Sequence, residues 1–180
     1  LTSQLIIIGF MGSGKSTVAR VLALRLNRPM VDLDQLITSN EGRSPAEIIE
    51  QDGENHFRGI ERQTLNEVLT AGVARIVSVG GGAWTIAENR RLITDHETFT
   101  VWLDAPFELC WRRIEAGREP RPLASSRELA EKLYRERRSD YALADARIPI
   151  AEPDRAEDIA TKVVAAASRQ NPSRPQKLPA

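Results

Sequence analysis

Short, mainly apolar runs alternate along this 180-residue chain with longer stretches of helical period. Five runs, residues 4–8, 30–33, 75–79, 99–103 and 147–150, read as strands. Their near-continuous hydrophobicity suits strands covered on both faces. Between them Val18, Leu22 and Leu26 recur at i, i+4 and i+8, and Phe57, Ile60, Leu65, Val68 and Leu69 repeat the pattern on a later helix. Ser44-Pro45-Ala46-Glu47 reads as a capping box with proline at the first helical position. Ser125 with Glu128, and Asp154 with Glu157, give two further start signals, and Ile159, Val163 and Ala167 form the stripe of the last helix. The alternation predicts an α/β protein, a parallel sheet with helices on both faces. One domain over residues 1–168 is expected, with no internal repeat.

Two segments stand apart. Residues 117–125 are rich in Gly, Pro and Arg, so a mobile lid is expected over about 115–127. The tail, 169–180, has little apolar content and is expected to be disordered.

Composition narrows the function classes. Hydrophobic residues make up 41% and charged ones 28%, with 25 basic against 25 acidic side chains. That balance gives no general attraction to nucleic acid or to an anionic membrane. A single cysteine, Cys110, excludes an internal disulfide and a multi-cysteine zinc site; it reads as a small packed side chain on a helix. No apolar run approaches a membrane span, and the first residues lack a signal-peptide layout. The expectation is a cytoplasmic monomer with neither nucleic-acid nor membrane partners.

The densest chemical information lies in Gly9-Phe10-Met11-Gly12-Ser13-Gly14-Lys15-Ser16-Thr17, between the first apolar run and the first helical stripe. Strand, glycine loop and helix in that order form a Walker A phosphate-binding loop. Its glycines let successive N–H groups turn inward upon an anion, and the helix N-terminus adds its partial positive charge. Gly12, Ser13, Gly14, Lys15, Ser16 and Thr17 are thus candidate nucleotide-binding residues. Lys15 supplies a point charge for the outer phosphates, and Ser16 offers a hydroxyl to Mg²⁺.

Other residues admit two readings. Asp32 and Asp34 flank Leu33 at the end of the second predicted strand, where two carboxylates projecting to one face could divide labour between hydrated Mg²⁺ and an attacking hydroxyl. A solvated turn or helix cap would also explain them. Glu54, Arg58 and Glu61 share a helix face, with Phe57 and Ile60 directed elsewhere; they form either a surface ion-pair ladder or a bracket that aims Arg58 at a carboxylate. Gly80-Gly81-Gly82 follows a core strand, either as a flexible connection or because backbone must approach something closely, its N–H groups then able to bind a ligand oxygen. Ser78 sits where a small polar group could join the metal's water shell. Arg121, between two prolines, is either solvated or a lid arginine that neutralises charge at the transferring phosphoryl group and excludes water. His56 and His96 lack partners at metal-ligand spacing.

Taken together, these motifs resemble the shikimate kinase family in order and over most of the chain, from residue 4 to about 167. The elements are the Walker loop, Asp32-Leu33-Asp34, Gly53-Glu54 with Phe57-Arg58 and Glu61, the triple glycine, Arg121-Pro122-Leu123, and Arg137 four residues before Tyr141. The resemblance implies a five-stranded parallel sheet of order 2-3-1-4-5 with a substrate-binding helical region at about 34–62. It implies transfer of the ATP γ-phosphoryl group to the 3-hydroxyl of shikimate, in the chorismate and aromatic amino-acid pathway. Lys15, Asp34 and Arg121 would be catalytic, with Asp34 as base, and Ser16 and Asp32 would hold Mg²⁺. Asp34, Arg58, Gly80, Gly81, Gly82 and Arg137 would bind shikimate, the arginines taking its carboxylate. Arg113 and the Pro153-Asp154 loop would lie near adenine.

The chain departs from the family pattern at Thr38, Ala124, Arg138 and Asp140. The last two stand where Asn-Pro is more usual, which leaves Arg137 and Arg138 both as candidates for the second carboxylate ligand. Rival readings are another small hydroxy-acid kinase, such as a gluconate kinase, and a non-catalytic ATP-binding module.

Overall fold

A computed structural model describes residues 3–117 and 122–169. Five strands, β1 (Gln4–Ile8), β2 (Met30–Asp32), β3 (Ile76–Ser78), β4 (Thr98–Asp104) and β5 (Ala146–Pro149), pair in parallel in the order β2-β3-β1-β4-β5. The order matches the sequence-based expectation. Every residue of β1 and β4 is buried, as their mainly apolar runs suggest, whereas the edge strands β2 and β5 are partly exposed. Pro149, unable to donate to a ladder, is tolerated because β5 is an edge.

Among the described residues eight α-helices surround the sheet: α1 (Lys15–Leu26), α2 (Leu33–Glu41), α3 (Pro45–Asp52), α4 (Glu54–Ala71), α5 (Ala87–Thr94), α6 (Phe107–Ala116), α7 (Arg127–Tyr141) and α8 (Ala156–Ser168). The predicted stripes face the core. Val18 and Leu22 of α1, Leu65, Val68 and Leu69 of α4, and Ile159, Val163 and Ala167 of α8 are all buried. Each such side chain contributes about 1.5–3 kcal/mol relative to exposure, far more than the few tenths from a surface ion pair. The apolar stripes therefore set how the helices seat. Among the described residues no helix is long and apolar enough to cross a membrane.

The Ser44 capping box forms: Glu47 N–H donates to Ser44 Oγ at 3.3 Å, and Ser44 N–H donates to Glu47 Oε2 at 2.6 Å. Two other start signals are displaced by one residue. Ser126 rather than Ser125 caps α7. At α8 the cap position is Arg155, because the Asp154 carboxylate is engaged by Ala151 N–H and Lys162 Nζ.

The second strand is shorter than its apolar run. It ends at Asp32, whose carboxylate caps α2 by accepting from Gln35 N–H. Asp34 consequently lies in the first turn of α2, so the strand-face argument for the two aspartates does not hold. The parallel register sets Asp32 beside Ser78, itself beside Ile7, which gathers these chain ends at the carboxyl edge of the sheet.

Candidate active site

The chain leaves β1 through the glycine loop and enters α1 at Lys15. Gly12 has φ 75°, and a Cβ there would come within 2.6 Å of the Cys110 carbonyl oxygen on α6. No side chain fits, so the loop is pressed against α6 by the same feature that lets it turn. Lys15 curls back, its Nζ donating to the Phe10 carbonyl at 3.0 Å. Ser16 is half-buried and Thr17 exposed in the first turn of α1, with backbone N–H groups at the helix start where an anion is favoured. Arg113 reaches across from α6 and donates to the Gly12 carbonyl at 3.1 Å. It thereby borders the phosphate loop. Cys110 beneath the loop is buried, and that burial pushes its thiol up to about 11.

At Asp32, Oδ1 accepts from Gln35 N–H, while Oδ2 is buried with no hydrogen-bond partner among the described residues. A buried carboxylate oxygen without a donor is costly unless something positive is supplied. Ser78 is buried on the neighbouring strand. Among the described residues no cluster of three or more His, Cys, Asp or Glu side chains forms. The donor set therefore suits Mg²⁺ that keeps several waters and phosphate oxygens rather than an all-protein cage.

Beside the loop opens a pocket of about 540 Å³, mouth included. Its charged lining is Asp34, Arg58, Glu61 and Arg137, its backbone floor Gly80, Gly81 and Gly82. Pro45, Ala46 and Ile49 of α3, Phe57 of α4 and Leu123 supply apolar wall, and Met11 makes the border with the phosphate loop. A Cβ on Gly81 would lie 3.4 Å from both Gly9 O and Met11 N, so loop and pocket share a partition one residue thick.

At two of the three glycines a Cβ would crowd the charged side chains of the pocket. A Cβ on Gly82 would meet the Arg58 guanidinium at 2.5 Å, and one on Gly80 would meet Glu61 Oε1 at 2.8 Å and Asp34 Oδ1 at 3.0 Å. The Tyr141 hydroxyl donates to the Gly81 carbonyl at 2.5 Å, and Trp84 Nε1 donates to the Asp140 carbonyl at 2.8 Å. Among the described residues, Gly81 and Gly82 N–H donate to no backbone carbonyl.

The Glu54, Arg58, Glu61 row is a bracket rather than a surface ladder. Arg58 donates to Glu61 Oε2 at 2.7 Å and to Glu54 Oε1 at 2.9 and 3.2 Å, and its guanidinium lies 5.2 Å from the Phe57 ring centre. Burial works against its charge, but Glu61 and Glu54 more than offset that and raise its pKa. Glu61 is fully buried. Burial raises its pKa, Arg58 opposes this, Asp34 adds to it and Arg137 opposes it. Phe57, expected to face elsewhere, forms part of the pocket wall instead.

The neighbours Arg137 and Arg138 part company. Arg137 is buried and lines the pocket. Arg138 donates to Asp104 Oδ1 and the Tyr134 hydroxyl, both at 2.7 Å, and covers the Trp102 ring at 5.0 Å. Arg147 grips the other oxygen of Asp104 at 2.7 Å. Successive helix residues point about 100° apart, so one arginine enters the pocket and the next is used to anchor α7 to β4.

The structure thus brings Asp34, Arg58, Gly80, Gly81, Gly82 and Arg137 together in one pocket, next to Lys15 and its loop. Arg121 and the expected disorder of the tail from 170 onward lie outside the described residues. Sequence reasoning missed the apolar wall from α3 and Leu123; Pro45, Ala46 and Ile49 carry no chemical signature of their own.

Comparison with known proteins accords with this geometry. The profile of the family "Shikimate kinase" matches residues 11–168. The shikimate kinase of Persephonella marina is 37% identical over 142 residues, covering 79% of this chain and 85% of its own. The structure of shikimate kinase from Acinetobacter baumannii in complex with shikimate superposes with a TM-score of 0.82 at 31% identity, covering 94% and 96% of the two chains. A gluconokinase from Sinorhizobium meliloti, TM-score 0.65 over 93% and 92% of the chains but 18% identical, shares the fold alone. With the phosphate loop, the charged pocket and the sheet order all in place, the chain belongs to the shikimate kinase family.

Proposed function

We propose that this chain transfers the γ-phosphoryl group of ATP to the 3-hydroxyl of shikimate, giving shikimate 3-phosphate and ADP. The observation that carries the reading is the shared partition: Met11 of the phosphate loop also lines the pocket that holds Asp34, Arg58 and Arg137. Donor and acceptor sites separated by one residue allow in-line transfer without a large excursion of either substrate.

In this assignment the acceptor carboxylate lies between Arg58 and Arg137, with Gly81 and Gly82 N–H as further donors. Paired guanidinium forks suit a planar carboxylate. That placement turns the ring hydroxyls toward Asp34. As oxygen attacks phosphorus, its proton passes to the Asp34 carboxylate and the departing ADP oxygen takes the bond pair. Lys15, and Arg121 from the lid sequence, balance charge on the phosphoryl oxygens. Ser16 directly and Asp32 through water would hold Mg²⁺, which neutralises phosphate charge when bound. Pro45, Ala46, Ile49 and Leu123 cover the ring and limit access of water, whose attack would waste ATP.

A coupled ADP-release assay with shikimate, gluconate or no acceptor tests the assignment. Rapid turnover with shikimate alone is expected. Equal rates with gluconate would return the chain to the broader hydroxy-acid kinases, and no turnover with either would favour an ATP-binding module.

A further inference from the structure

We infer that binding of the acceptor carboxylate draws one proton from solvent onto Oε1 of Glu61, so that an uncharged Glu61 shares the pocket with the acceptor and a charged Asp34. The inference rests on the acceptor site proposed above and adds a proton to its binding equilibrium.

Among the described residues, four charged side chains line the pocket. Arg58 and Glu61 come from α4, Arg137 from α7 and Asp34 from α2. Glu54 also bonds Arg58, but it is exposed and its charge is screened by water. Two positive and two negative groups therefore balance before the acceptor arrives. A carboxylate entering between the arginines leaves the buried set with one negative charge in excess. Burial of an uncompensated charge is costly, and the site relieves it most cheaply by protonating a carboxylate. The arginines cannot shed or gain a proton in this range.

Geometry selects Glu61. It is fully buried, and its two oxygens differ: Oε2 accepts from Arg58 at 2.7 Å, whereas Oε1 is buried without a partner among the described residues. Oε1 and Asp34 Oδ1 both border Gly80, 2.8 and 3.0 Å from where a Cβ there would stand. A hydrogen on Oε1 removes the like-charge repulsion between Glu61 and Asp34. Glu61 already holds a proton more readily than an ordinary glutamate, through burial first and Asp34 next. The group closest to protonation is also the one with an oxygen to spare.

The sign of the pH dependence follows from linkage. Below the pKa of Glu61 in the free protein, the proton is already present and affinity does not change with pH. Above it, each binding event takes up a proton, and affinity falls by up to about tenfold per pH unit until the pKa of the complex is reached.

Titration calorimetry of the whole chain with shikimate, without nucleotide, in phosphate and in Tris at one pH, reads the uptake directly. For the wild type we expect a binding enthalpy that changes with the buffer's ionisation enthalpy. Glu61→Gln should bind with a buffer-independent enthalpy and a flatter pH profile. A group that merely holds Arg58 in place would alter affinity without moving this readout. An infrared difference spectrum of the wild type should also gain a protonated-carboxyl band on shikimate addition, which needs no variant to fold. A buffer-independent wild type, a missing band, or retained uptake in Glu61→Gln would each overturn the inference. A wild type that binds no shikimate would overturn the acceptor assignment beneath it.

Discussion

The two halves of the cleft are built in opposite ways. On the nucleotide side, nine consecutive residues, Gly9 to Thr17, supply backbone N–H groups, a lysine and a hydroxyl on one strand-to-helix turn. On the acceptor side, the charged side chains come from α2, α4 and α7 and the floor from the turn after β3, residues 34 to 137 in sequence. The first half needs only local folding to exist. The second exists only once the sheet has aligned these segments, and it discriminates because side chains rather than backbone line it. A binding loop of the first kind can serve many kinases, while the second kind ties the chain to one class of acceptor.

If that division is real, substitutions should separate cleanly between the two substrates. The largest effect is expected at the junction. Asp34→Asn should lower kcat by about 10²–10⁴-fold, the usual range for loss of a general base, with ATP affinity little changed. Near-normal turnover would remove Asp34 from the proton transfer. Next comes Arg58→Ala, which should weaken shikimate binding by about 2–4 kcal/mol because it deletes a buried charged partner. Equal loss of nucleotide affinity, measured by titration with ATP alone, would mean that the halves are not separable.

A smaller change sharpens the point. Gly82→Ala sets a methyl against the movable end of Arg58, not against backbone. The guanidinium should yield, at a loss of about 1–3 kcal/mol in acceptor affinity, with little change in Tm. In an Arg58→Ala background the same glycine substitution should be almost silent, since the clash it creates is gone. Additive losses in the double variant would show that the glycine turn acts through something other than Arg58.

This asymmetry also explains which parts of the molecule were legible in the sequence. The phosphate loop was, because its chemistry is contiguous and its flanking strand and helix are strongly patterned. So was the strand order, through the ordered set of family motifs rather than through periodicity. The acceptor residues were legible as individuals but not as neighbours. The i, i+4, i+7 spacing of Glu54, Arg58 and Glu61 fits a solvated ladder as well as a bracket, and only tertiary packing buries Glu61. The apolar run through Leu33 disguised the end of β2 because an N-capping aspartate can stop a strand at any point the next helix requires. Arg137 could not be told from Arg138 until Asp104, 34 residues before Arg138, was seen to claim the latter. Long-range partners of that kind leave no local trace.

Trp84 is the first large side chain after the glycine floor; it is almost wholly buried, and its indole N–H ends on the carbonyl of Asp140, three residues beyond Arg137. Its ring therefore bridges the floor of the pocket and the helix that carries one of its arginines. Any closing of that helix toward a bound acid stretches or shortens the indole's hydrogen bond and so shifts its emission. With Trp102 and Trp111 replaced by phenylalanine, the chain should carry its own optical gauge of pocket occupancy, with no label attached.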